Sequence, residues 1–292
     1  FTNFGSNIIR LKPPTEPMLP FVMFPRPLQE SNVVGKGGSA GFLGKAFDPY
    51  TLFPDGDDLD MAKMDKIKVD DLNLRPDMFA VRLQRRAKLR DELSDAVPEI
   101  EKAVENYNLD DYYKKAMNLI VSGRAREAFD LNQEPDKLRD RYGRNTFGQS
   151  CLLARRLVEA GVEIVTSSLS GPLCGRVGNW DDHAVNQHIF DALRFRCGAY
   201  DQAVSALIED VYARGLDKRV LVVVTGEFGR TPAVELPTPG ANAGKMNGRD
   251  HNHWGFTYWV AGGGIKAGTV YGATDDFDHL AEGPDGYDQR CE

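Results

Sequence analysis

Several features that mark membrane, nucleic-acid-binding or metal-finger proteins are missing from the sequence. No apolar run approaches the roughly 18 residues of a membrane-spanning helix, so no membrane span is expected. Acidic residues outnumber basic ones by 43 to 36, and the formal charge of −7 makes nucleic acid a poor partner. The four cysteines form no CxxC pair and no zinc-ligand spacing, which favours free, mostly buried thiols over disulfides. There is no internal repeat, low-complexity tract or signal-like segment.

What remains is typical of a globular protein. The 292 residues are 41% hydrophobic and 27% charged, which allows a substantial core. We expect a single α/β domain fragment over 1–292, because the chain begins at Phe1 without an initiator methionine. Its predicted parts are a Pro- and Gly-rich, loop-rich stretch, an amphipathic helical insertion and a parallel-sheet core that carries the polar motifs, over residues 1–78, 79–145 and 146–282 respectively.

The predicted core alternates helices with apolar strands. The segment "FGQSCLLARRLVEAG" predicts a helix over 146–160 that ends at Gly161, and a long helix is expected over about 186–214. The predicted strands are "VEIVTSS", "RVLVVVT" and "FTYWVAG", at 162–168, 219–225 and 256–262. Continuous apolar strands joined through helices are typical of a parallel sheet covered on both faces, with the first two strands as near neighbours.

Polar clusters follow the predicted strands. "NWDDH" (179–183) comes after the first, Glu227 and Arg230 come directly after the second, and "GRDHNHW" (248–254) precedes the third. Ligand sites of open α/β sheets lie beyond the carboxyl ends of the strands, so these three segments are expected to converge. The aromatic residues of "HWGFTYW" are predicted to be core residues rather than a sugar-binding platform.

The residue types in these clusters indicate a divalent metal ion. Carboxylates and imidazoles are ligands of zinc, or of manganese where oxygen donors dominate. The residues predicted to converge on one metal centre are Asp181, His183, Glu227 and His251. Alternatively, each histidine beside an aspartate is only a hydrogen-bonded surface pair.

Two arginines lie among these candidate ligands. Arg230 and Arg249 would suit a planar, two-pronged grip on sulfate, phosphate or carboxylate, and are predicted to bind substrate. The alternative is an ion pair from either arginine to Glu227 or Asp250 that merely ties two loops together.

The motifs resemble a known family. "FGQSCLLARRLVEAGVEIVT", "WDDH", "GEFGRTP" and "GRDHNHWGFTYWVAGGGIKAGTVYGATDDF" are similar to the bacterial family called domain of unknown function 1501, which is sulfatase-like and placed in the alkaline phosphatase superfamily. The resemblance implies a three-layer α/β/α sandwich with a mainly parallel sheet and a two-metal hydrolase centre. It places Asp181 and His183 at one metal's ligands, Glu227 at a strand-end acid and His251 at the late histidine.

The resemblance also implies a function. It implies a periplasmic or extracellular, metal-dependent hydrolase of small anionic sulfate or phosphate esters, with zinc, calcium or manganese as cofactor. The nucleophile is expected upstream of Phe1, so the catalytic residue is unknown. Phe228 stands where the superfamily has a histidine. That departure favours an alternative, a secreted binding protein that keeps the fold without the chemistry. A third hypothesis is a structural protein in which Glu227 and Arg230 form only a loop clamp.

Overall fold

The structure is a computed structural model of mixed α/β type. It describes residues 2–14, 16, 18–26, 29–30, 33–34, 36–52, 69, 85, 88–89, 123–173, 176–178, 180, 188–234, 248–276 and 281–282. The chain divides into two compact units, one of Phe1–Asp140 with Gln149–Leu169 and one of Arg141–Gly148 with Ser170–Glu292. Much of the predicted helical insertion over 79–145 lies outside the described residues.

The described elements follow in chain order. The helices α1 to α5 are Phe4–Leu11, Arg124–Phe129, Asp136–Tyr142, Thr146–Ala160 and Ile189–Ala213. The strands β1 to β7 are Phe21–Phe24, Gln29–Glu30, Val33–Val34, Tyr50–Thr51, Ile164–Ser167, Gly171–Leu173 and Arg176–Gly178. The strands β8 to β13 are Leu221–Val224, Gly229–Arg230, His251–Asn252, Trp259–Gly262, Ala273–Thr274 and Ala281–Glu282. Among the helices that the structure describes, we find no candidate for a membrane-spanning segment.

A parallel sheet of three strands, in the order β4-β1-β5, forms the centre of the first unit. Its middle strand β1 is buried along its whole length, and Phe21 and Phe24 are fully inaccessible. Phe21 and Met23 pack with Ile9 of α1 in one apolar cluster, because alternate residues of a strand point to the same face. Sequence analysis missed this strand, because the prolines on either side of "FVMF" predicted a loop. In the structure these prolines flank the two ends of the strand.

Buried charge ties α4 to the chain before it in the first unit. Arg155, with a side chain only 1% exposed, pairs with Glu134 at 2.9 Å and with Glu159 at 2.7 Å. The neighbouring Arg156 shares Glu134 and also donates to the backbone carbonyl of Ala128 at 3.0 Å. Guanidinium groups this deeply buried need such partners, because an unpaired buried charge is strongly destabilising.

The helices predicted over 146–160 and about 186–214 are confirmed as α4 and α5. The amide oxygen of Asn145 accepts from the backbone N–H of Gly148 at 3.0 Å and so caps the start of α4. The helix ends at Ala160, where Gly161 adopts a φ of 107° that glycine tolerates best. In the second unit α5 contributes Asp210, which is buried and accepts from the Tyr142 hydroxyl at 2.9 Å.

Strand pairing differs from the sequence prediction. The strands predicted at 162–168, 219–225 and 256–262 exist as β5, β8 and β11, but β8 pairs with β11 in antiparallel register and β5 pairs with β1. Leu221 and Val223 of β8 are 49% and 51% exposed, so the expectation of a strand buried on both faces is wrong here. An apolar run predicts a strand, yet nothing in it fixes the direction or identity of the partner.

Candidate functional site

A short antiparallel ribbon brings the two most polar motifs of the second unit together. Beyond the end of β8 the chain turns into β9, which pairs with β10 so that Arg230 lies opposite His251 and Gly229 opposite Asn252. The pairing continues past the strands, since Thr231 N–H donates to the carbonyl of Asp250 at 2.9 Å and Asp250 N–H donates to Thr231 Oγ1 at 3.1 Å. "GEFGRT" and "RDHN" are therefore two sides of one structure.

Gly229 allows the close approach of backbone that this ribbon requires. A Cβ atom at this position would lie 1.9 Å from the carbonyl oxygen of Gly255 and 3.3 Å from that of Asn252. Both are backbone atoms that cannot swing aside. The second glycine of "GEFGR" is thus a steric requirement of the β9–β10 ribbon.

Three side chains stack along the ribbon. The rings of Phe228 and His251 have centroids 4.0 Å apart, and the guanidinium carbon of Arg230 lies 5.8 Å from the Phe228 ring. Phe228 is half-buried while His251 is exposed. The phenylalanine that departs from the resemblance is therefore packed against the histidine predicted to bind metal.

Arg230 links the three polar segments. Its Nη2 donates to the carbonyl of Trp180 at 2.8 Å and its Nη1 to the carbonyl of Arg249 at 3.1 Å. Trp180 belongs to "NWDDH", Arg230 to "GEFGRTP" and Arg249 to "GRDHNHW". The predicted convergence of these segments is therefore observed for Trp180, Arg230 and Arg249.

Trp180 is itself held by aromatic and cationic neighbours in the second unit. Its ring stacks on Phe147 with centroids 6.4 Å apart and meets Tyr200 edge-on at 5.9 Å. The guanidinium carbon of the buried Arg196 lies 5.0 Å from the Trp180 ring centroid, a distance typical of a cation–π contact. The residue immediately before Asp181 is thus firmly placed, although Asp181 and His183 lie outside the described residues.

Glu227 and Arg249 have no ionic partner in the part of the chain that the structure describes. The Glu227 carboxylate is exposed and forms no hydrogen bond or ion pair there. Arg249 lies with its guanidinium carbon 6.0 Å from the ring centroid of Phe190, and its Nε is buried without a hydrogen-bond partner. The alternative in which Glu227 pairs with Arg230 or Arg249 to tie the loops together is therefore wrong; the tie runs from Arg230 to two backbone carbonyls.

Only two of the four predicted metal ligands belong to the described residues. They are Glu227 and His251, and no group of three or more His, Cys, Asp or Glu suited to a metal occurs among the described residues. A zinc site generally needs four donors, or three with a water. The described residues alone do not fit a metal ion, and the four-ligand set stays a prediction that depends on Asp181 and His183.

The aromatic segment after the ribbon is exposed. Trp254, Phe256 and Tyr258 are 46%, 47% and 60% accessible, and Trp259 is 36% accessible. The prediction that they form core is wrong, because apolar residue type alone does not tell which strands will cover them. Sequence analysis also missed Phe190 as the ring near Arg249, because its position in the first turn of α5 indicates only a helix start.

A family model described as "Protein of unknown function (DUF1501)" matches residues 2–283. No curated protein and no solved structure matches the chain.

Proposed function

The chain belongs to the DUF1501 family of proteins of unknown function, and we propose that it is a metal-dependent hydrolase of small sulfate or phosphate esters. The observation that carries this proposal is the junction at Arg230. It joins the segments that contain Trp180 and Arg249 to the strand end that carries Glu227. The proposal includes the finer fold that the resemblance implies, an alkaline-phosphatase-type α/β/α sandwich, and a periplasmic or extracellular location.

The unsatisfied guanidinium nitrogen of Arg249 supports an anionic substrate. Arg249 has a buried Nε without a hydrogen-bond partner, and a guanidinium presents a planar fork that matches sulfate and phosphate oxygens. The proposal assigns Arg249 as the guanidinium that contacts the ester anion, beside Arg230, which holds the Arg249 backbone. Formation of a charge-assisted hydrogen bond would satisfy a donor that is otherwise costly to bury.

The exposed carboxylate supports the presence of a cation. Glu227 would repel a sulfate or phosphate ester unless positive charge lay between them. Zinc, calcium or manganese held by Asp181, His183, Glu227 and His251 would supply a Lewis acid that polarises the ester oxygen. The chain's own contribution is to hold His251 on a ribbon that is stabilised by backbone pairing and by the Phe228 ring, with Glu227 two residues before β9.

The direct test uses the full-length natural protein. Elemental analysis after purification without chelator should find a divalent metal, and hydrolysis of p-nitrophenyl sulfate or p-nitrophenyl phosphate should depend on it. His251→Ala should bind the metal more weakly than the parent in a titration. Equal metal affinity in the two proteins would remove His251 from the site and with it the main support for a metallohydrolase.

A second candidate is a secreted binding protein without catalysis. The observation in its favour is the Phe228 ring, which lies 4.0 Å from the His251 ring where the resemblance would place a second metal's histidine. This candidate predicts anion binding without turnover of either ester. The same two assays separate the candidates, because binding is measured with inorganic sulfate and turnover with the esters.

A further inference from the structure

We propose that the two arginines at this site have different roles: Arg249 binds the anion, and Arg230 is a positioning residue that holds the backbone of Trp180 against the β9–β10 ribbon. The inference rests on the proposed function only for its ligand, an oxyanion such as sulfate or phosphate. The positioning role concerns the chain itself and can be tested without any ligand.

Arg230 is already committed to the protein. Two of its nitrogens donate to backbone carbonyls, of Trp180 at 2.8 Å and of Arg249 at 3.1 Å, and its guanidinium carbon lies 5.8 Å from the Phe228 ring centroid. A half-buried guanidinium in this position satisfies two carbonyls that would otherwise lose hydrogen bonds. An incoming anion would have to compete with these contacts.

Arg249 differs in each of these respects. Its side chain makes a contact with the Phe190 ring, at 6.0 Å, and no hydrogen bond to a described residue, while its Nε is buried and unsatisfied. Its backbone carbonyl, by contrast, is fixed by Arg230. Arg230 therefore sets the position of the residue whose buried Nε has no hydrogen-bond partner among the described residues.

The geometry of the clamp explains why it is an arginine. A guanidinium has five donors in a rigid plane and can reach two carbonyls from different segments at once, whereas a lysine ammonium is a flexible point charge. Arg230→Lys should therefore keep the charge but lose the bridge. Arg249→Lys should keep part of the anion affinity, because a point charge still attracts phosphate.

The first experiment is a double-mutant cycle on anion affinity, measured by calorimetry with inorganic phosphate and inorganic sulfate on the full chain. Arg249→Gln should raise Kd by about tenfold or more, the usual effect of one lost charge-assisted hydrogen bond. Arg230→Gln should also raise Kd, but should have less than about a twofold effect in the Arg249→Gln background, because it acts through Arg249. The control is Arg219→Gln, an exposed arginine at the opposite end of β8, which should leave Kd unchanged.

The second experiment detects the clamp without a ligand. In a Trp254→Phe, Trp259→Phe background Trp180 is the remaining tryptophan, since the chain has three. Arg230→Gln and Arg230→Lys should both make Trp180 fluorescence more accessible to acrylamide quenching, and Arg249→Gln should leave it as in the parent. Circular dichroism and melting curves confirm that each variant is folded before quenching is compared.

The outcomes test the positioning role of Arg230 separately from the anion-binding role of Arg249. Additive losses of anion affinity, or unchanged quenching in both Arg230 variants, would overturn the positioning role. Full rescue of both readouts by Arg230→Lys would overturn it too, since charge alone would then suffice. If the parent protein binds neither phosphate nor sulfate, the anion role of Arg249 and the proposed function both fail, while increased quenching in the Arg230 variants would still establish the clamp.

Discussion

The imidazole of His251 lies against the ring of Phe228, with centroids 4.0 Å apart, across the β9–β10 ribbon. Packed aromatic pairs contribute about 0.5–1.5 kcal/mol beyond the area they bury. A double-mutant cycle of Phe228→Ala and His251→Ala, measured by urea unfolding, should therefore give a coupling energy in that range. The control pairs His251→Ala with Phe256→Ala, an exposed aromatic residue, and those two changes should be additive.

Substitution by alanine should lower thermal stability at Gly229 but not at Gly226 of the same motif. Gly229→Ala would place a Cβ 1.9 Å from the Gly255 carbonyl oxygen, so the ribbon must separate and thermal stability should fall. Gly226→Ala meets nothing closer than the Phe228 carbonyl oxygen at 3.4 Å, and should be neutral or slightly stabilising. Melting temperatures of the two variants decide the matter, and a Gly229→Ala protein as stable as Gly226→Ala would contradict the described backbone approach.

Asp210 should be much more sensitive to substitution than another aspartate on the same helix. Its carboxylate is buried and accepts from the Tyr142 hydroxyl and from Arg214 Nε, both at 2.9 Å. Asp210→Ala leaves these donors without an acceptor and should lower the free energy of unfolding by about 2–3 kcal/mol. Asp191→Ala, which breaks an exposed pair with Arg194, should cost less than about 1 kcal/mol in the same urea titration.

Burial raises the pKa of the Cys151 thiol to about 12 from its ordinary value near 9. The native Cys151 thiol should therefore resist alkylation by iodoacetamide at pH 8, whereas the half-buried Cys197 thiol should react faster. Between pH 9 and 12 the unfolded chain loses this proton and the folded chain keeps it, so stability should fall as pH rises. The slope from this thiol is at most about 1.4 kcal/mol per pH unit. A Cys151→Ala variant should show a correspondingly shallower decline, and equal declines would contradict the shift.

The sequence predicted the elements of the chain better than their partners. Helices α4 and α5 were predicted nearly to their ends, because amphipathic spacing and the glycine at 161 are local signals. The partner of β5 is a strand about 140 residues earlier, and the partner of β8 approaches from the opposite direction to that expected. No local pattern contains either fact, because pairing depends on which apolar surfaces remain to be covered after the helices pack.

The candidate site was likewise predictable in part: the sequence predicted which segments meet, but not their side-chain contacts. The strand-end position of Glu227 and the convergence of Trp180, Arg230 and Arg249 were predictable from motif order alone. The direction in which each side chain points was not predictable. Arg230 and Arg249 look equivalent in sequence, and only their hydrogen bonds distinguish a residue that holds two carbonyls from one with an unsatisfied Nε.

The parallel pairing of β1 with β5 also bears on synthesis. Phe21 cannot meet Ile164 until the intervening chain has been made, about 140 residues later. At bacterial or eukaryotic elongation rates of about 5–20 residues per second, the apolar "FVMF" segment waits roughly 7–30 s for that partner. Such a delay is long compared with hydrophobic collapse. Strand β4 can pair with one edge of β1 much earlier, but the edge that β5 will cover stays open until residues 164–167 have been made. A holdase chaperone that covers residues near Phe21 should therefore raise the yield of folded protein.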